Sequence, residues 1–327
     1  GGSRARTSCA APGSPSGGIS AASALRLLGT TAALATAVAA SSLLLALPLA
    51  WLVSRTDLPG RAVWAVLLPL PLAIPSYVGA YAWITLAGPG AALRRAAGEA
   101  WWGWVLPDPY RFGGAWLVLT LLCYPYAFLV LRPAMRGISG ASWEAARSLG
   151  AGPARAFAAA ARPALGPACL AAALLVALYV ASDFGAVAAL RCETFTWAIY
   201  RIVRSAFDPS GTARLALVLV LGTAALLALA RRLRGARVEP GARDMPLSRR
   251  PPVPLGRWRV PAVLLCGATC AVSLGGPVLA VASWRLGARG GTSGAGQRLD
   301  ALLAAAAGTA GVSLLAAPPA LAPAHPL

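Results

Sequence analysis

Ten acidic residues and one histidine make up nearly the whole stock of groups that could transfer protons or bind metals, and they are scattered along the chain. One acid stands apart. Asp183 is the only carboxylate inside an apolar stretch, where an ionised group is costly and therefore a functional candidate. The alternative role is local: Asp183 caps or hydrogen-bonds a helix break made by Gly185. Tyr124 and Tyr81, with Tyr126 and Tyr77, place phenol oxygens in other apolar runs. Such oxygens can line a polar path beside Asp183 or serve as packing and interface anchors.

Enzymatic chemistry finds little support. A membrane-embedded transferase would want clustered Asp, Glu, His or Lys for metal or acid–base work, yet no DxD or HExxH occurs and the lone histidine is His325. An ion-coupled carrier usually needs several buried carboxylates or histidines, and one Asp is thin support. The six cysteines contain no CxxC pair. Four of them lie in apolar runs, where a thiol acts as a small hydrophobe. Cys266 and Cys270 share a helix face but lack further ligands. No cofactor and no metal site is expected. A GxxxxGK[ST] phosphate loop is also absent, so the chain does not hydrolyse ATP itself.

The positioning elements follow from composition. The 327 residues are 58% hydrophobic and 12% charged, whereas soluble domains carry about 25% charged residues. Net charge is +19, all of the basic residues being Arg. These arginines flank long apolar runs, which fits membrane topology and argues against nucleic-acid binding. Seven stretches are long enough to cross about 30 Å of hydrocarbon: 30–53, 63–87, 113–132, 166–190, 212–231, 259–284 and 301–323. Helix is the expected form, because backbone groups in lipid must bond within their own segment. Residues 1–29, rich in Gly, Ser and Pro, read as disordered. Residues 236–258 read as a linker.

Loops 54–62, 132–165 and 231–259 hold two, five and nine arginines; loops 88–112, 191–214 and 285–299 hold three, four and three. The first set is therefore expected on the cytoplasmic side. That orientation puts the N-terminus outside and suggests a missing earlier helix. Trp101, Trp102 and Trp104 then lie in an outer loop as an interfacial belt. SSLLLALPLA at 41–50 aligns with GVSLLAAPPA at 311–320. Together with the linker, the match suggests a duplicated architecture with 259–327 as the start of a second, truncated repeat, so that the chain looks like a fragment.

The most informative loop is SWEAARSLGAGPARAFAAAARPALGPA, residues 142–168. Ser142 can cap a helix carrying Glu144, Ala145 and Ala146. Gly150 and Gly152-Pro153 break it, and a second short helix is expected to end near Pro163. This resembles the EAA loop of binding-protein-dependent ABC importer permeases, with Glu144, Ala145, Ala146, Gly150 and Pro163 in register. Ala160 and Arg162 depart from the usual Ile and Leu. The resemblance implies that the loop is a coupling helix docked on a cytoplasmic ATPase subunit.

Two more stretches, LPLPLAIPSYVGAYAWI (68–84) and ALYVASDFGAVAALRCETFTWAIYRIV (177–203), look like permeases of the ferric-iron class. Their relatives import thiamine, sulfate, molybdate or polyamines. The resemblance covers nearly all of 30–235 and returns over 259–323. It implies an all-α integral membrane protein of the type I importer permease kind, with about seven transmembrane helices, in the inner membrane. It further implies a permease domain at 30–235, an ATP-binding subunit dimer, an extracytoplasmic solute-binding protein, and ferric iron as cargo.

Overall fold

In a computed structural model, the structure describes residues 21–88, 110, 112–138, 140–198, 200, scattered helical positions between 217 and 228, and 253–288. The described residues form helices with no strand between them; an isolated bridge joins Thr56 to Val253.

Helix α1 (Ala21–Arg55) starts inside the segment expected to be disordered up to residue 29. The early helical start has a local cause. The run AASALRLL is rich in good helix formers, the Thr31 hydroxyl donates to the Leu27 carbonyl, and Arg26 pairs with Glu193 at 3.8 Å.

The second expected span is broken. Helix α2 (Arg61–Leu67) is followed by a 3-10 turn (Leu70–Ala73), then by α3 (Ser76–Ala87), and the two arms meet at 91°. Pro69, Pro71 and Pro75 lack the amides that would carry the helix across, so the ladder ends in the short bonds Leu72 N to Pro69 O and Ile74 N to Pro71 O. Helix α4 (Phe112–Arg136) crosses intact despite Pro125 and Pro133.

Helix α5 (Gly140–Ser148) opens the 142–168 loop two residues before the expected Ser142 cap. Helix α6 (Pro153–Ser182) then runs unbroken through Pro163 and Pro167. The short helix expected to end near Pro163 is thus the first part of a 30-residue one. Both prolines act near the solvent end: the carbonyl that Pro163 leaves free belongs to exposed Ala159, where water can satisfy it. After Ser182 the chain breaks and forms the five-residue α7 (Gly185–Ala189). Helix α8 (Arg259–Ala288) closes the described set.

Four of these helices, 25–55, 112–136, 155–182 and 256–282 with its lead-in turn, are long and apolar enough to cross a membrane; the bent α2–α3 pair makes a fifth crossing if counted as one span. The expected spans at 212–231 and 301–323, Trp101, Trp102, Trp104 and the repeat at 311–320 lie outside the described residues, save for the helical positions between 217 and 228.

Helices α1, α4 and α6 pack on one another around buried Leu34, Val38, Leu49, Leu119, Phe128 and Val176. Large apolar side chains such as Leu44, Val66 and Leu264 point outward, as lipid-facing positions do. Helix α8 lies chiefly on α3. A Cβ on Gly276 would meet the Trp83 ring at 3.0 Å, so the absence of a side chain permits the approach.

Candidate functional site

The breaks in the second span and after α6 leave backbone groups to satisfy, and a candidate residue serves each. In an unbroken helix the Leu68 carbonyl would accept from Leu72; here the Tyr124 hydroxyl donates to it at 2.9 Å. Tyr124 is fully buried and also lies 3.3 Å from the Ser273 hydroxyl of α8. It ties α2, α4 and α8 together from within the core, and lines no open surface of the described structure.

Asp183 sits at the C-terminal end of α6, where its extended backbone ends the helix. Its Oδ1 accepts from the Gly185 amide at 3.0 Å, the Ala186 amide at 3.4 Å and the Ser76 hydroxyl at 3.1 Å. The first two are the local cap anticipated for a break at Gly185. The third crosses the fold to the first residue of α3. Among the described residues, Oδ2 is buried without a hydrogen-bond partner. The breaks in the second span and after α6 therefore meet at one carboxylate oxygen. Contact there is close: a Cβ on Gly185 would come within 3.0 Å of the Tyr77 Cβ.

Aromatic groups surround this node. Tyr126 of α4 and Tyr179 of α6 stand with ring centroids 4.8 Å apart, and Phe184 lies 4.7 Å from Tyr200. The Thr196 hydroxyl reaches the Asp183 carbonyl, while Thr31 of α1 accepts from the Phe195 amide at 2.9 Å. Tyr77 and Tyr81 are exposed on α3. Asp183 and Tyr124 serve separate breaks and do not bond each other. Ser76 carries little signal in the sequence beyond its place directly after the last proline of the Pro-rich run.

At the other end of α6 the 142–168 loop folds as a helix–turn–helix. Helix α5 buries none of its residues; Glu144 and Ala145 are exposed, and Ala146 half so. Gly150 takes φ 82, the left-handed conformation open to glycine. Its amide and that of Ala151 close the turn on Arg147 O and Ala146 O. Leu149, at the tip, is 87% exposed. Pro163, exposed in α6, follows Phe157 by less than two turns, and the Phe157 ring meets Trp143 edge-on at 6.4 Å.

The same end of the bundle carries other cross-links. The Arg55 Nη2 donates to the Ile138 carbonyl at 2.7 Å. Asp57 accepts from the Leu255 amide at 2.8 Å and pairs with Arg259; this guanidinium and amide hold its carboxyl below the usual carboxylate range. Three segments expected on one membrane side thus meet there: 54–62, the end of α4, and the tail of the linker. Among the described residues, no group of three or more His, Cys, Asp or Glu side chains could hold a metal ion.

No protein-family model matches the chain. It is similar to the Fe(3+)-transport system permease protein FbpB 2 of Haemophilus influenzae, 31% identical over 194 residues, which is 59% of this chain and 35% of that protein. It is also similar to the molybdenum transport system permease protein ModB of Escherichia coli K12, 28% identical over 176 residues, 52% of this chain and 75% of that one. The chain thus spans about a third of the iron-system relative's length. The likeness to ABC importer permeases read from the 142–168 loop is borne out by both relatives, as is an all-α, multi-pass membrane architecture.

Proposed function

We propose that this chain forms the membrane-spanning permease part of an ATP-binding-cassette importer in the cytoplasmic (inner) membrane. It moves ferric iron inward by alternating access, driven by a separate ATPase dimer and supplied by an extracytoplasmic solute-binding protein. The observation that carries this reading is the helix–turn–helix at the bundle's end. Helix α5 has no fully buried residue and touches the core through Trp143, while its exposed Glu144 and Ala145 and the Gly150 turn behind it offer a charge, a small face and a tight turn to a partner. A surface helix anchored at one residue leaves its outer face for another protein's groove.

Ferric iron is the preferred cargo because the iron-system relative matches over the longer stretch at the higher identity. Molybdate is the second reading, since the molybdenum-system relative matches over most of its own length. Residues 30–235 make the first permease domain, and 259 onward begins a second repeat joined through 236–258. The bond from the Leu255 amide to Asp57 supports this division, because it returns the linker's tail to the α1–α2 loop just before α8 begins.

The test uses the full-length transporter reconstituted with its ATPase and binding protein. Glu144→Ala and Gly150→Val are expected to abolish uptake of labelled ferric iron with membrane insertion intact. ATPase that is still stimulated by cargo in both variants would overturn the coupling role. Uptake of molybdate without iron would move the cargo assignment to the second reading.

A further inference from the structure

The coupling loop and the Asp183 node sit at opposite ends of one helix. Helix α6 has 30 residues, which at 1.5 Å per residue makes a rod of about 45 Å. The loop is fixed to its start in two ways. Arg147 Nη1 donates to the Ala151 carbonyl at 3.1 Å across the Gly150 turn, and the Trp143 ring packs edge-on against Phe157. A displacement of α5 is thus carried into α6, not absorbed at the turn. At the far end, the Asp183 Oδ1 holds Ser76, the first residue of the arm that bends 91° from its neighbour. No backbone hydrogen bond of helical register spans Ile74–Pro75: Ile74 N bonds back to Pro71 O, and Val78 N starts afresh from Pro75 O. That joint is where the second span can turn.

We propose that Asp183 is a positioning residue that latches the broken second span to the end of α6, so that movement of the 140–150 loop swings α3. The inference rests on the importer reading for the source of that movement. It assigns Asp183 a different job from holding cargo. Oδ1 is already occupied by three donors, and a single remaining oxygen does not make a site for a hard cation, which takes six or more oxygen ligands. The latch needs an acceptor at Oδ1 and a donor at Ser76; it does not need the charge.

The experiment follows from that distinction, again with the full-length transporter, its ATPase and its binding protein in liposomes. Cargo moved per ATP hydrolysed is measured for D183A, D183N, S76A and the S76A/D183A double variant. D183A and S76A are expected to lower this ratio by about tenfold, within the ordinary range of coupling between sites. The double variant falls no further than D183A alone, because the bond that S76A removes from the latch is already lost in D183A. D183N keeps the Oδ1 acceptor and is expected to recover most of the ratio, a rescue that a cargo ligand would not give. If D183N is as defective as D183A while S76A is normal, Asp183 acts through its charge and the latch is wrong. If all four variants match the unmodified transporter while Glu144→Ala uncouples it, the latch fails and the importer reading stands. If Glu144→Ala and Gly150→Val leave coupling intact, the importer reading itself fails.

Discussion

Asp183 and Ser76 lie 107 positions apart, yet their side chains meet at 3.1 Å where two interrupted helices touch. The same Oδ1 caps the Gly185 amide, so one atom serves a local break and a distant one. A partly buried hydrogen bond of this kind contributes about 1 kcal/mol net. Its consequence is mostly geometric: it fixes where the bent second span begins its second arm, α3.

Tyr124→Phe tests how the first arm of that span is held. The substitution removes the hydroxyl that donates to the Leu68 carbonyl. Side-chain hydrogen bonds between membrane helices average about 0.6 kcal/mol, and a buried carbonyl left bare costs about 1–3 kcal/mol. We expect a loss near 1 kcal/mol, read as a lower midpoint of thermal unfolding in detergent. Ser273→Ala should cost less, because the Ser273 hydroxyl already donates to the Thr269 carbonyl at 2.7 Å. Equal losses would mean the two hydroxyls act as one network.

Gly276→Leu is expected to force α8 off α3. Its Cβ alone would stand 3.0 Å and 3.1 Å from two atoms of the Trp83 ring, and overpacking of this order costs about 1–3 kcal/mol. Gly275→Ala is the matched control, since nothing lies within 4 Å of a Cβ there. Trp fluorescence and the unfolding midpoint should change for Gly276→Leu and hold for Gly275→Ala.

The sequence made some of this legible and hid the rest for physical reasons. Length and apolarity fix which segments cross, and Pro69, Pro71 and Pro75 announce the break in the second span because proline removes amides wherever it stands. Gly150 and Gly152-Pro153 likewise mark the turn of the 142–168 loop. Pro163 misled: near solvent, a helix tolerates the missing bond, and α6 runs on to Ser182. The helical start at Ala21 was obscured by the Gly/Ser-rich residues ahead of it. Asp183 could be singled out by its lone charge, and its capping of Gly185 is a contact two residues away. Ser76 and the Leu68 carbonyl could not be found, because their partners come from elements whose packing no spacing encodes.

Asp57 gives a pH-dependent clasp. Its carboxyl is held below the usual range by Arg259 and by the Leu255 amide, so ionisation is favoured in the folded state. The stabilisation is fully present above the ordinary Asp value of about 4 and is lost as pH falls through the lower folded value. Protection of the Leu255 amide from hydrogen exchange, corrected for intrinsic pH dependence, should therefore hold at neutral pH and fade in acid. In Asp57→Ala it should be low at every pH. Protection unchanged by that substitution would show that the Thr56–Val253 pairing suffices.

Leu149 supplies the sharpest test of docking. It is a large apolar side chain 87% exposed, held out by a turn that Gly150 and the Arg147–Ala151 bond make rigid. Exposure of that degree means it adds almost nothing to the fold, so Leu149→Ala should leave the unfolding midpoint unchanged. A rigidly presented apolar group does suit a partner's pocket, where truncating such an anchor costs about 2 kcal/mol or more. That corresponds to roughly a thirtyfold weaker association with the proposed ATPase partner, measurable by co-purification at graded dilution. Arg147→Ala should weaken association less, since it loosens the turn without removing the anchor. If Leu149→Ala associates normally while Glu144→Ala does not, the contact is made by the outer face of α5 and not by the tip of the turn.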